Sequence, residues 1–163
     1  MLERQPLSLF ALTTRRPFEA ESASAVELLD RVDALLGLGG GALVLRRPEA
    51  YHLISYAMRH TKEPIRIVTG VSTVAQILHD RHYRHLDGQL LEALAKLFAF
   101  NVRLYVYPMA AADFRAATQG TPAASWIDPA QEVVDARSLK PPMPVSHLYA
   151  YLAETGFLRS IPA

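Results

Sequence analysis

Polar residues that could hold an anion occur at three places where the sequence predicts the end of a strand. Ligands of open parallel sheets bind beyond the carboxyl ends of the strands, so groups at those ends could share one site. Arginine grips phosphate or carboxylate with two N–H groups, and a glycine turn before a helix offers backbone amides beside hydroxyl groups. This pattern predicts a site for a small phosphate- or carboxylate-bearing metabolite. Its residues would be Arg46, Arg47, Thr69, Gly70, Ser72, Thr73 and Tyr107.

Ordinary structural roles also explain the same residues. Ser72 and Thr73 are common helix-capping residues, Gly70 is a common turn residue, and arginines beside strands are usually solvated. Catalysis would further need an acid, base or nucleophile near the held ligand. The sequence places none there, and Tyr107 is the nearest candidate. We therefore expect a non-catalytic ligand-sensing or assembly module. The alternative is a small enzyme that acts on a phosphorylated or carboxylated metabolite at the same edge.

Three histidines recur at every third position, as His79, His82 and His85. A first-row metal could bridge two of them and take a carboxylate as a third ligand. However, Arg81 and Arg84 lie in the same stretch, and their positive charge would oppose a bound cation. A solvated segment between two helices explains the pattern more simply, so we expect no metal site.

The glycine run at 37–41 does not predict a nucleotide cofactor. A dinucleotide fingerprint needs its glycines after a strand and before a helix, because the helix N-terminus must meet the pyrophosphate. Here the run follows a predicted helix and precedes a predicted strand. The chain also lacks the P-loop and nucleophile-elbow patterns, so the sequence assigns no cofactor and no catalytic residue.

Composition limits the classes of partner. The chain has 163 residues, of which 50% are hydrophobic, and no cysteine, so it can bury a core but cannot form disulfides or use thiolates. Its 17 basic and 16 acidic residues are mixed along the sequence, whereas nucleic-acid binders usually concentrate their positive charge. We therefore expect no nucleic-acid partner. The absence of a long apolar run or signal-peptide order predicts no membrane partner and a cytoplasmic protein.

Helix signals recur along the chain. Ser24 and Glu27 form a capping box, in which the serine hydroxyl accepts from the Glu27 amide. Apolar residues at helical spacing follow as far as Gly37, which is expected to adopt a left-handed conformation after the helix. The other predicted helix starts are Pro48, the capping box Thr73–Gln76, Asp87 and Ser146.

Strands are predicted between these helices, at residues 7–13, 42–45, 65–69 and 102–107. The last of them alternates apolar with polar or aromatic residues, which places it near a sheet edge. The order predicts one α/β domain over residues 1–163, with a mostly parallel open sheet of about four strands and helices on both faces. Residues 118–145, rich in Gly, Pro, Ser and Thr, are expected to form an irregular wrap or lid. The C-terminal helix would occupy 146–158. Gly156 is expected to stop the helical turns, and Phe157 and Leu158 to fold back onto the helix as the apolar contact of a C-terminal cap.

Amphipathic aromatic residues suggest a protein surface. Tyrosine and tryptophan are enriched at interfaces because they combine a large apolar body with a polar tip. We therefore expect a homo-oligomer or a protein partner, with the C-terminal segment docking either on a neighbouring subunit or on its own domain. The residues concerned are Tyr83, Tyr105, Tyr107, Tyr149, Tyr151 and Trp126.

Overall fold

The computed structural model describes residues 6–14, 24–47 and 49–162. The chain divides into two compact units, residues 1–53 and 54–163, and each is described by itself. Helices and parallel strands occur in both, which confirms the expected α/β class. The strands form sheets of two, three and two strands. A single domain over 1–163 stays a prediction. In the described ranges, no helix has the length and apolar character needed to cross a membrane.

The first unit contains a parallel strand pair joined through a helix. Strands β1 (Leu9–Thr13) and β2 (Gly41–Leu45) pair in parallel, and α1 (Ala25–Leu36) lies between them in sequence. The Ser24 hydroxyl accepts from the Glu27 amide at 3.2 Å, so the predicted N-cap is confirmed. The left-handed glycine prediction is wrong by two positions, because Gly37 has φ −60° and Gly39 has φ +84°.

The next elements have the following bounds. Helix α2 covers Ala50–Ala57, β3 Arg66–Gly70, α3 Val71–Ile77, α4 Gln89–Leu97, β4 Arg103–Tyr107, β5 Met109–Ala110, α5 Ala111–Thr118, β6 Val133–Val134, α6 Val145–Glu154 and β7 Leu158–Ser160. Short 3-10 helices cover Asp80–Tyr83, Ala99–Asn101 and Pro122–Ser125.

The main sheet of the second unit has the order β3–β4–β7, with all strands parallel. Leu104 and Val106 of β4 are fully buried, and so are Val71 of α3 and Phe114 of α5. Successive side chains of a strand point to opposite faces, so one face of this sheet belongs to the core. The other face carries the intervening residues and is described below.

Strand β4 lies in the centre of this sheet, so its predicted place near an edge is wrong. The alternation in its sequence arises because one face is buried in the core while the other carries polar and aromatic residues. Alternation reports how the two faces are covered, whereas an edge is a matter of which strands pair on either side. The third strand, β7, has only three residues and gives no periodic signal of its own.

Two helices begin at glycines where the sequence predicted other caps. Strand β3 runs directly into α3, and Gly70 is both the last strand residue and the N-cap, so the capping box at Thr73 does not form. Helix α4 has Gly88 as its N-cap instead of Asp87. The Glu92 carboxylate accepts from the Gly88 amide at 2.9 Å and satisfies this helix start from inside the helix.

The C-terminal helix also starts earlier than predicted. Its N-cap is Pro144, and Ser146 is the second helical residue with no capping hydrogen bond. The helix ends at Glu154 and Leu158 begins β7, so the predicted end at 158 is wrong. The stop at Gly156 is confirmed, because this glycine has φ +73° just beyond the last turn. The rings of Phe157 and Tyr151 lie 6.4 Å apart, which is the expected apolar contact back onto the helix.

The segment 118–145 has little regular structure but contributes to the core of its own unit. Its two-residue strand β6 pairs antiparallel with β5. Trp126, Val134 and Leu139 are buried. The Lys140 amide donates to the Trp126 carbonyl at 2.7 Å. These contacts give the segment a defined path.

Candidate functional site

The face of the β3–β4–β7 sheet opposite Leu104 and Val106 is termed the open face. Its central strand places two tyrosines on it, and its three strands each place one arginine on it. Val68 is 63% exposed and Tyr107 48% exposed, so much of this face is accessible to solvent. Its strand residues are Arg66, Val68, Gly70, Arg103, Tyr105, Tyr107 and Arg159.

The register of the strands brings the three arginines together. Arg66 on β3 pairs with Arg103 on β4, and Tyr105 on β4 pairs with Arg159 on β7. Neighbouring strands lie about 4.8 Å apart, so the three cations share one small area. Like charges directly opposite each other destabilise a sheet. The open face therefore carries a concentrated positive charge.

The guanidinium groups are oriented by neutral partners. Arg66 Nη1 donates to the carbonyls of Ile65 at 3.0 Å and Asn101 at 2.7 Å. Arg103 Nη1 donates to the Val102 carbonyl at 2.9 Å, and its guanidinium lies 4.7 Å from the centre of the Phe157 ring.

Among the residues that the structure describes, no carboxylate forms an ion pair with these arginines. The ion pairs of the described part of the chain include Arg31–Glu27, His79–Asp80 and Lys96–Glu92. None of them includes an arginine of the open face. Each guanidinium has five N–H donors, so donors remain for an anion.

Tyr107 and Gly70 form the far end of the open face. They are register partners, and a Cβ built on Gly70 would lie 3.3 Å from Cε2, Cζ and Oη of Tyr107. Glycine therefore lets the outer edge of the tyrosine ring lie close against the backbone of β3. Of the residues predicted from sequence, the structure brings these two together.

The other predicted strand-end residues lie elsewhere. Thr69 pairs with Val106 and lies on the core side of the sheet. Ser72 and Thr73 are half-buried in the first turn of α3, which has only seven residues and so little macrodipole. Arg46 and Arg47 follow β2 in the first unit, where both are exposed. Strand β2 and strand β3 belong to different sheets.

The histidine stretch is more buried than the solvated segment predicted from sequence. His79 is 8% exposed, and the hydroxyl of buried Tyr83 donates to the Ile77 carbonyl at 2.9 Å. Burial lowers the pKa of His79 and the nearby Arg81 lowers it further, while Asp80 acts in the opposite direction. The positive charge of Arg81 also opposes a metal cation at this place. Within the described ranges, no three His, Cys, Asp or Glu side chains are grouped to hold a metal.

Several of the aromatic residues proposed for an interface belong to the core. Tyr83, Trp126 and Tyr149 are buried. The Tyr149 hydroxyl donates to the Ala136 carbonyl, so this part of α6 docks on its own chain. Burial strongly raises the pKa of Tyr149. Tyr107 and Tyr151 are exposed and remain accessible to a partner.

Sequence reasoning missed the arginines of the open face and an apolar groove. Arg66 and Arg103 do begin strands, which was a usable signal, but Arg159 follows no recognisable pattern. The groove has a volume of about 320 Å³ and lies between α4 and α6. It is lined by Leu91, Leu94, Ala95, Phe98, Leu148, Tyr151, Leu152 and Phe157.

Comparison of the chain with protein-family models, with curated proteins and with solved structures finds no match. The case for a function therefore depends on the side chains of the open face and their surroundings.

Proposed function

We propose that this chain is a non-catalytic module that binds an anionic ligand on the open face of its β3–β4–β7 sheet. The observation that supports this most is the convergence of Arg66, Arg103 and Arg159 with no ion-pair partner among the described residues. Guanidinium groups bind phosphate and carboxylate in a bidentate manner. A bound anion would also relieve the repulsion between the opposed arginines.

The proposed ligand bears phosphate or carboxylate groups and is long enough to reach beyond the arginines. Tyr107 lies four positions along β4 from Arg103, which is about 13 Å at roughly 3.3 Å per residue. Gly70 and Tyr107 would hold the ligand at this far end, with Ser72 and Thr73 nearby in sequence. The charge must come from the arginines, because α3 is too short to provide a strong dipole.

Three finer expectations are not needed for this proposal. Contacts of Arg46, Arg47 and Thr69 with the ligand, assembly with a second copy or a protein partner, and a cytoplasmic location stay predictions. Binding is better supported than the enzyme alternative, because a catalyst needs an acid or base beside the held substrate. At the strand positions of the open face, the candidates for this role are the hydroxyls of Tyr105 and Tyr107, and none of these positions holds a histidine or a carboxylate.

A thermal-shift screen tests the proposal. Phosphate, pyrophosphate and citrate are compared with chloride at matched ionic strength. A ligand at about 100 times its dissociation constant stabilises a protein by about 2.7 kcal/mol, so a hit raises the unfolding midpoint by several degrees. The shift should shrink in Arg66→Gln/Arg103→Gln and persist in Arg137→Gln, where the exposed arginine lies outside the open face. No anion-specific shift would remove the support for this function.

A further inference from the structure

We infer that the ligand of the open face is a single-stranded nucleic acid, with phosphates on the arginines and bases stacked on the tyrosines. This inference rests on the proposed function, since it names the class of anion that the same surface would take. The mixed order of acids and bases along the sequence argued against such a partner. The fold changes that argument, because three parallel strands gather Arg66, Arg103 and Arg159 from distant parts of the chain onto one face.

The positive charge extends beyond the strands. Lys62 Nζ lies 5.0 Å from the centre of the Phe100 ring, and Phe100 is 62% exposed. The next residue, Asn101, accepts from Arg66 through its carbonyl. The amino-terminal edge of the open face thus combines cations with an exposed aromatic ring, which is the pairing found in grooves for single strands.

The aromatic residues favour a nucleic acid over a simple anion. Tyr105 and Tyr107 are two residues apart on β4, so they lie on the same face about 6.6 Å apart. Tyr107 is 48% exposed, with the outer edge of its ring against Gly70. Phosphate or carboxylate could accept a hydrogen bond from a tyrosine hydroxyl but makes no use of the flat faces of two adjacent rings. Every base offers a π face to such side chains, whatever the sequence.

The shape of the surface favours a single strand over a duplex. Bases in a duplex are stacked on each other, and a duplex is read by elements that enter a groove. A sheet face with aromatic side chains instead receives bases that are unstacked and splayed out. An acidic peptide could neutralise the arginines too, but its carboxylate side chains offer no π face to stack on the tyrosine rings.

Fluorescence anisotropy tests this inference on the full chain. Labelled 12-nucleotide oligouridylate and oligothymidylate are titrated with the protein, and tripolyphosphate and polyglutamate serve as competitors. Three phosphate contacts predict that the logarithm of the affinity falls with the logarithm of salt at a slope of about −2. Tyr105→Ala and Tyr107→Ala should each weaken binding about 5- to 150-fold. Tyr105→Phe and Tyr107→Phe should retain it, since stacking needs the ring and not the hydroxyl.

Tyr56→Ala is the matched control, because Tyr56 is also 48% exposed but lies on α2. It should leave the affinity unchanged, and circular dichroism confirms that each variant is folded. The inference is overturned if the alanine variants bind as the unaltered protein does. A duplex that binds as tightly as the single strand, or polyglutamate that competes as well as the unlabelled oligonucleotide, also overturns it. Heat of tripolyphosphate binding in a calorimetric titration, without an anisotropy change for either oligonucleotide, would overturn this inference and leave the proposed function standing, whereas binding of neither would remove both.

Discussion

Arg66 and Arg103 lie directly opposite each other on adjacent parallel strands, and neither forms an ion pair within the described chain. Each guanidinium is anchored separately, Arg66 by backbone carbonyls and Arg103 by a carbonyl and the Phe157 ring. Anchoring of this kind reduces the side-chain entropy that would be lost when a ligand binds. The pair is therefore a preorganised positive site, and its repulsion is the feature that a bound anion would relieve.

The contact between Tyr107 and Gly70 predicts that Gly70→Ala destabilises the protein when Tyr107 is present but not when Tyr107 is replaced by alanine. Gly70 has φ −76°, which alanine adopts readily, but the new Cβ would press on the Tyr107 ring at 3.3 Å. Gly70→Ala should therefore lower the free energy of unfolding by about 1 kcal/mol. With Tyr107→Ala in place, the same change should be neutral or stabilising, since alanine restricts the unfolded chain.

Urea denaturation of the four proteins measures this coupling, which should be at least about 0.5 kcal/mol. If Gly70→Ala changes the free energy of unfolding equally with and without Tyr107, the position of the Tyr107 ring does not require a glycine at position 70. The variant Gly70→Ala should also weaken anion binding if the position of the Tyr107 ring matters to the ligand.

The helix caps predict different outcomes for two serines. Ser24 accepts a hydrogen bond from the Glu27 amide, whereas Ser146 lies inside the first turn of α6 without a capping bond. Ser24→Ala should reduce helix stability by about 1 kcal/mol, and Ser24→Asp should retain it. Ser146→Ala should change stability by less than about 0.5 kcal/mol. Circular dichroism during denaturation compares them, and a larger loss for Ser146→Ala would contradict the assigned caps.

Interactions between residues close in the sequence were sufficient to predict much of the secondary structure. The box at Ser24 and the glycine at 156 were identified because each motif satisfies its own backbone groups within a few residues. The start of α4 was not identified, because the Gly88 amide at this start is satisfied by the carboxylate of Glu92, four residues further along. The central position of β4 could not be predicted either, since it depends on pairing with the three-residue strand β7.

The candidate site shows the same limit more strongly. Arg66, Arg103 and Arg159 are far apart in the sequence, and nothing near any of them indicates that they meet. Their meeting depends on strand register, which is set by tertiary structure. Gly70 and Tyr107 were found because both end strands that the sequence does reveal. The buried tyrosines were misjudged, since a hydroxyl bonded to a distant carbonyl, as in Tyr149 and Ala136, leaves no trace in the sequence.

Buried Tyr149 predicts a loss of stability at high pH. Burial raises its pKa above the ordinary value of 10.0, so the unfolded chain loses this proton first as the pH rises. The contribution of Tyr149 to the free energy of unfolding is fully present below about pH 10. Above that pH it declines, by at most about 1.4 kcal/mol per pH unit. The decline in the urea midpoint between about pH 9 and pH 11 should be smaller in Tyr149→Phe. Tyr151→Phe, at an exposed position, should decline as the unaltered protein does; identical slopes for all three proteins would refute the assignment.

His79 predicts the opposite pH dependence. Burial and Arg81 lower its pKa below the ordinary 6.5, so the unfolded chain takes up a proton first as the pH falls. The contribution of neutral His79 to the free energy of unfolding should be fully present above about pH 6.5. Below that pH it should fall, by at most about 1.4 kcal/mol per pH unit. His79→Gln should reduce the fall measured by urea denaturation between about pH 7 and pH 5. The exposed His60→Gln is the control, and a fall that is unchanged in His79→Gln would show that other groups cause it.

The central claim is that opposed arginines on the open face bind an anion, and calorimetric titration with tripolyphosphate at low ionic strength tests it most directly. Removing a charge-assisted hydrogen bond loses about 1.5–3 kcal/mol, so Arg66→Gln/Arg103→Gln should weaken binding at least about tenfold. Arg137→Gln, a single exposed arginine outside this face, should bind as the unaltered protein does. An absence of binding heat, or equal affinity in the double variant and the unaltered protein, would contradict the claim.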